Sequence, residues 1–248
     1  MQQYANVCVD AWGDFARFTR NSSKVERVTY YVPTPSACRG ILNAILCKPL
    51  KFYYEITSIE VMNPIKTINI MQNGVRDKIS VKSAKNNKGY SYLSGGNLSR
   101  AFPQQQTLYL KDVYYRIHAR IVLRDDAPDD ANIFSLRDQF YRMVNGGKCL
   151  MSPYLGAREC MCYFGPKDLT KRPIDDDVDL GIMLYDMFDI TDNKQLTTDK
   201  SMYESNKDRY TMDVHRSYFH AVMNHGCIQV PYWGSDEILM DDTIYVGK

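Results

Sequence analysis

Thr107-Leu-Tyr-Leu-Lys-Asp-Val-Tyr-Tyr-Arg-Ile-His-Ala-Arg-Ile-Val-Leu123 alternates apolar and polar residues with period two, the mark of a strand with one buried face. Val113, Tyr115, Ile117, Ala119 and Ile121 are expected toward a core, with Asp112, Tyr114, Arg116, His118 and Arg120 on the other face. A ring, two arginines and a histidine in one row can stack a base, hold phosphates and move a proton. Merely solvated strand faces carry cations too, but seldom this combination.

Upstream, residues 6–19 also alternate and read as a strand with an aromatic side of Trp12, Phe15 and Phe18. A basic connector, 20–27, leads to a short strand at 28–32, and Ser36 is expected to cap a helix whose apolar residues Ala37, Ile41, Leu42, Ile45 and Leu46 keep helical spacing until Lys48-Pro49. Strands are expected at 51–61 and 65–70. Residues 72–106 then form a long insertion with Gly74, Arg76, Lys78, Lys82, Lys85, Lys88 and Arg100, expected to be a basic β-hairpin arm that closes over an RNA backbone. Downstream, Asn132 caps a helix running to Val144, and Gly146-Gly147-Lys148 lacks the further glycine and Ser/Thr of a phosphate loop. Strands are expected at 154–164, 180–190 and 218–230. This order predicts an α+β fold: a ferredoxin-like, RRM-like domain over 1–150 with the arm at about 72–106, then a small mostly-β domain over 151–248.

The net charge of +2 conceals an asymmetry. Residues 1–124 hold 18 Lys+Arg against 7 Asp+Glu, a balance of +11, and residues 125–248 hold 13 against 22, a balance of −9. A basic half rich in rings fits a polyanion that offers phosphates and flat bases, so nucleic acid is the expected partner. The binding candidates are Arg17, Arg20, Lys24 and Arg27 in the connector region, Arg39 on the first helix, Arg76, Lys78 and Lys82 in the arm, and Arg120; Tyr30 and Tyr31 are the stacking candidates, one of which should point to the core. No apolar run of about 18 residues is present and the first residues lack the basic-then-apolar order of a signal peptide, so neither membrane spanning nor export is expected and the cytoplasm is the expected location. The seven irregularly spaced cysteines read as reduced thiols, and Cys160-Met-Cys162 lacks the paired spacing of a zinc knuckle. His215, His220 and His225 recur every five residues, which places them on no common face. Asp175-Asp-Asp-Val-Asp179 reads as a solvated acidic loop or a surface for a basic partner. No metal and no small-molecule cofactor are expected.

Trp12-Gly-Asp-Phe-Ala-Arg-Phe-Thr-Arg20, Lys24-Val-Glu-Arg-Val-Thr-Tyr30 and the run Pro33 to Pro49 closely resemble the Cas-five family of CRISPR type I-C, the Dvulg subtype of the RAMP superfamily. Tyr109 to Tyr115, Leu155 to Cys160, Asp179 to Met183 and Ala221 to Gly226 extend the resemblance in order along nearly the whole chain. It implies a RAMP fold and a subunit that binds the repeat-derived 5′ handle of CRISPR RNA beside the backbone and large subunits of Cascade. It also implies metal-independent cutting of precursor CRISPR RNA, in which the ribose 2′-OH attacks and one group removes its proton while another protonates the leaving oxygen. The family's Lys-His pair falls near Asn132-Ile-Phe-Ser-Leu136, which holds neither, and its Tyr or His before aromatic-Lys-Pro is replaced by Leu46. Two expectations follow. Cutting has moved to the face of the 107–123 strand, with His118 as acid or base, Tyr114 as helper and Arg116 or Arg120 on the phosphate; or the chain binds the handle without cutting, as a host subunit or a virus-borne mimic of one.

Overall fold

The computed structural model describes residues 4–20, 27–73, 104–192, 195–196, 204–207, 210–211 and 216–240. Its strands are β1 (Tyr4–Ala16), β2 (Phe18–Thr19), β3 (Thr29–Tyr30), β4 (Phe52–Val61), β5 (Lys66–Asn73), β6 (Gln104–Leu123), β7 (Tyr163–Gly165), β8 (Val178–Asp186), β9 (Gln195–Leu196), β10 (Tyr210–Thr211), β11 (Ser217–Asn224), β12 (Cys227–Gln229) and β13 (Leu239–Met240). Helices α1 (Pro35–Ile45) and α2 (Ile133–Asn145) join them. The fold is α+β around a curled antiparallel sheet in which β13, β11, β12, β4, β6, β1 and β7 lie side by side, with β5 paired to β6 and β8 to β11.

The strand read first is the spine of the sheet. β6 runs against β1 along one edge from Tyr4↔Val122 to Ala16↔Leu110. Along the other it pairs with β5 from Asn73↔Gln104 to Lys66↔Lys111, and then with β4 from Val61↔Tyr115 to Phe52↔Leu123. The change of partner falls at Asp112, which takes φ 54°, and Asn63 Nδ2 donates to the Asp112 carbonyl at 2.8 Å where the two partners meet. Asp tolerates this left-handed conformation better than most residues. The core residues expected on β6 are all buried. The base of the arm is thus an antiparallel ladder as far as Asn73↔Gln104, while residues 74–103 lie outside the described residues.

Both helices lie on the core face. α1 buries Cys38, Ile41, Leu42 and Ile45, and α2 buries Ile133, Leu136, Phe140 and Val144, spacings that give each one apolar stripe. Tyr54 joins them to the sheet: its ring meets Phe140 at 5.9 Å, and its hydroxyl donates to the Leu46 carbonyl at 3.0 Å. Asn132 caps α2 as expected, its side chain accepting from Phe134 N and Ser135 N. The cap of α1 is Thr34 rather than Ser36, because Pro35 takes the first helical position and the Thr34 hydroxyl accepts from Ala37 N at 3.2 Å.

Three strand expectations change. Residues 218–230 are not one strand but the hairpin β11–β12, because His225 (φ 46°) and Gly226 (φ 70°) form a two-residue turn. Within 154–164 only Tyr163 onward is strand, preceded by an isolated Tyr154↔Met161 bridge. The expected 180–190 strand ends at Asp186. No helix among the described residues is long and apolar enough to cross a membrane.

Candidate functional site

Even-numbered residues of β1 up to Trp12 and of β6 from Tyr114 onward face away from the helices, and register sets them in rows. The first row runs Tyr114, Trp12, Tyr163 across β6, β1 and β7. The Trp12 and Tyr114 rings stack at 5.4 Å and 9° between planes, and Trp12 and Tyr163 at 6.4 Å and 26°. Lys171 Nζ lies 4.4 Å from the centroid of Tyr114, a cation–π contact. Gly165 lies beside this column, where a Cβ would stand in ordinary contact with the Trp12 ring at 3.4 Å.

The second row is ionic. Arg116 grips Asp10 side-on, Nε to Oδ1 at 2.7 Å and Nη2 to Oδ2 at 3.1 Å, while Nη1 reaches Glu60 Oε2 at 3.4 Å and Nη2 also donates to the Asp168 carbonyl at 2.6 Å. Asp10 also accepts from Tyr114 OH at 3.1 Å and from Asp168 N at 2.9 Å. Asp10 is wholly buried and Arg116 is 3% exposed. The hydrogen bond to Asp10 raises the Arg116 pKa further, and burial together with the Asp10 charge lifts Tyr114 to about 12. Arg116 is therefore a structural cation, not a free holder of phosphate, and Tyr114 donates to a carboxylate rather than accepting a proton near neutral pH.

Beyond it, His118 Nε2 lies 2.8 Å from Glu60 Oε1 with the ring partly exposed, and Arg120 covers the Tyr4 ring at 4.9 Å and faces Glu55 at 3.7 Å. Tyr114, Arg116, His118 and Arg120 thus share one face as expected, but only His118 and Arg120 present a polar head to solvent.

Of the cationic candidates of the connector and of α1, Arg17, Arg20 and Arg39 are half-buried and engaged by partners within the protein. Arg17 pairs with Glu159 at 2.9 Å and covers the Tyr109 ring. Arg39 is held to Asp186 by Nε at 2.9 Å. Arg20 lies over the Tyr30 ring at 4.8 Å and Tyr31 at 6.0 Å. Tyr30 itself is buried, its hydroxyl accepting from Leu184 N at 3.3 Å, so its ring cannot stack a base; Tyr31, 46% exposed, is the outward member of the pair. Arg27 is exposed and joins β6 through its backbone. Lys24, Arg76, Lys78 and Lys82 lie outside the described residues, as does His215. His220 and His225 each pair with the acidic loop, at Asp179 and Asp175. Among the described residues no group of three His, Cys, Asp or Glu side chains is placed to hold a metal.

At the two positions where the resemblance implies cutting groups, Leu46 is 2% exposed and its backbone N–H closes α1 on the Leu42 carbonyl. Phe134 and Ser135 occupy the first turn of α2, with Arg137 over the Phe134 ring at 5.4 Å.

The model of the family described as CRISPR-associated protein, Cas5d type, matches residues 7–231. The chain belongs to the Cas5d family. A Cas5d named CRISPR pre-crRNA endoribonuclease in Thermus thermophilus is 34% identical over 228 residues, 92% of each chain. Another Cas5d of that name, from Mannheimia succiniciproducens, is 36% identical over 190 residues, 71% of this chain and 82% of its own. A solved CRISPR-associated protein shares the fold at TM-score 0.63 and 21% identity, over 95% of this chain and 96% of its own. So does a functionally uncharacterised protein from Streptococcus mutans, at TM-score 0.62 and 21% identity, over 95% and 97%. Within the Cas5d sequence pattern, Asp10, Glu60, Trp12, Tyr163 and Lys171 were not singled out as a group. Asp10 lies in the outward register of β1 with Asn6 and Trp12, so alternation gives no sign that Arg116 and the Asp168 backbone bury it there.

Proposed function

We propose that the chain is a CRISPR RNA-binding subunit of a type I-C Cascade, that it holds the repeat-derived 5′ handle and meets the backbone and large subunits, and that it does not cut at the family's usual positions. The observation that carries the loss of cutting is Leu46, an apolar side chain sealed in the core where a proton-carrying one is implied. Phe134 and Ser135 add no activated acid or base. Handle binding is supported by family membership and by the relatives' names, which specify a precursor CRISPR RNA as their substrate. The order β1-α1-β4-β6-α2-β7, with β4, β6, β1 and β7 side by side, supports a ferredoxin-like unit. A second, mostly-β unit is supported by β8, β11 and β13, which among the described residues join the rest of the sheet through β12 on β4; with β7 counted in the ferredoxin-like unit, the proposed division follows Gly165. A cytoplasmic site of action fits a complex that works on transcripts.

A second reading, cutting relocated to the open face, is favoured by one observation, the partly exposed His118 beside Glu60. Incubating the purified protein with its cognate repeat RNA in EDTA separates the two. RNA bound and intact is the expected result. A discrete cut that leaves a 2′,3′-cyclic phosphate and vanishes in His118→Ala establishes relocation; absence of binding overturns the subunit assignment.

A further inference from the structure

Most of the open face is closed to ligands by its own ion pairs, but the aromatic row ends in the open. Tyr114 is covered by Lys171 on one side and Trp12 on the other, Trp12 lies between Tyr114 and Tyr163, and Tyr163 closes the column on the edge strand β7 with its side chain 51% exposed. Three strands hold the rings in direct register, and Arg116 and Asp10 lock the adjacent row beneath the 166–171 segment that places Lys171. The column is therefore preorganised and would lose little side-chain entropy on stacking a further flat group.

We propose that the Tyr163 end of this column is a stacking site for an unpaired nucleobase of bound RNA, with Lys167, Lys171 and Arg172 of the following segment supplying cations for the RNA backbone. The choice of RNA over a protein partner rests on charge: the segment from Tyr163 to Arg172 carries Lys167, Lys171 and Arg172 against Asp168 alone, and of the two carboxylates beneath it Asp10 is paired with Arg116 while Glu60 lies between Arg116 and His118. A basic surface that ends in an exposed ring meets the two needs of single-stranded RNA at once. The site draws Tyr163 and the lysines from the acidic half of the chain, which the charge asymmetry had set aside. It rests on the RNA-binding reading above and deepens it.

The test uses the full chain carrying Trp233→Phe, which leaves Trp12 as the only tryptophan, and a fluorescein-labelled single-stranded RNA copy of its repeat handle. Titration is expected to quench Trp12 emission in step with binding. Tyr163→Ala is expected to weaken anisotropy-measured affinity about ten-fold, and Tyr163→Phe, which keeps the ring, to restore it. Thermal melts of both variants check the fold. RNA bound with full affinity by Tyr163→Ala, and without Trp12 quenching, overturns the stacking site while leaving the subunit assignment standing. A variant that binds RNA normally but no longer joins purified backbone subunit would make the ring a protein contact and overturn it too. Failure of the parent chain to bind the RNA would overturn both.

Discussion

Arg116 shows what an alternating pattern leaves undecided. Its place on the outward face of β6 was legible, but its fate depended on Asp10, 106 residues earlier, directly opposite in the β1 register. No local pattern reports such a pair. Removing one member of a buried pair strands the other, a loss of about 3–5 kcal/mol, whereas an exposed pair is worth about 0–1 kcal/mol. Arg116→Leu is therefore expected to lower the urea midpoint sharply and Arg120→Leu only slightly; equal shifts would refute the distinction drawn here between the two arginines. His225 is legible in another way. Its hydrogen bond to Asp175 and the charges of Asp177 and Asp175 raise its pKa above the ordinary 6.5. The charged form is favoured in the folded state, so the contribution is fully present below 6.5 and fades as pH rises through the folded value. NMR titration should find the raised value, and Asp175→Asn should bring it down.

The elements were legible in proportion to how local their causes are. β6, β1 and α2 follow from periodicity and a cap; the β11–β12 hairpin did not, because its turn uses His225 at positive φ, an uncommon choice beside the expected Asn or Asp. Glycines divide likewise. Gly156 takes φ 81°, and a Cβ there would strike the Arg17 carbonyl and come within 2.7 Å of the Phe18 ring, so it fixes how the loop before β7 docks on the end of β1. Gly181 takes φ 70°, but a Cβ would find no atom within 4 Å. Ala at Gly181 should cost about 1–2 kcal/mol from the backbone alone. Gly156→Ala should cost clearly more or yield little folded protein, as circular dichroism melts of the pair would register. Similar losses at both sites would mean that the close approach at Arg17 yields without strain.

The scale of the whole molecule is where sequence and structure part furthest. Charge divides the chain into a basic and an acidic half, yet the sheet does not respect that division: β7 pairs with β1 and β12 with β4, so the second half supplies strands on both flanks of the first. Several cations of the basic half neutralise carboxylates of the acidic one, Arg17 with Glu159 and Arg39 with Asp186 among them. The count of +11 therefore overstates the charge available to RNA. Residual binding charge must come from exposed cations such as Arg27, Lys167 and Arg172, from the half-buried Lys171, and from the basic residues outside the described part of the chain. Each neutralised phosphate contributes about −0.7 to the slope of log affinity against log salt for a single strand. Four to six such contacts give a slope near −3 to −4, which corresponds to an affinity loss of roughly a hundred-fold between 50 and 200 mM salt. Lys171→Ala or Lys167→Ala should each make the slope shallower by about 0.7 if these lysines meet the backbone beside the stacking site. A slope near zero for the parent chain would place the handle on an uncharged surface and defeat the electrostatic account. A steep slope left unchanged by both lysine variants would instead move the phosphate track away from the open face, toward the connector and the arm.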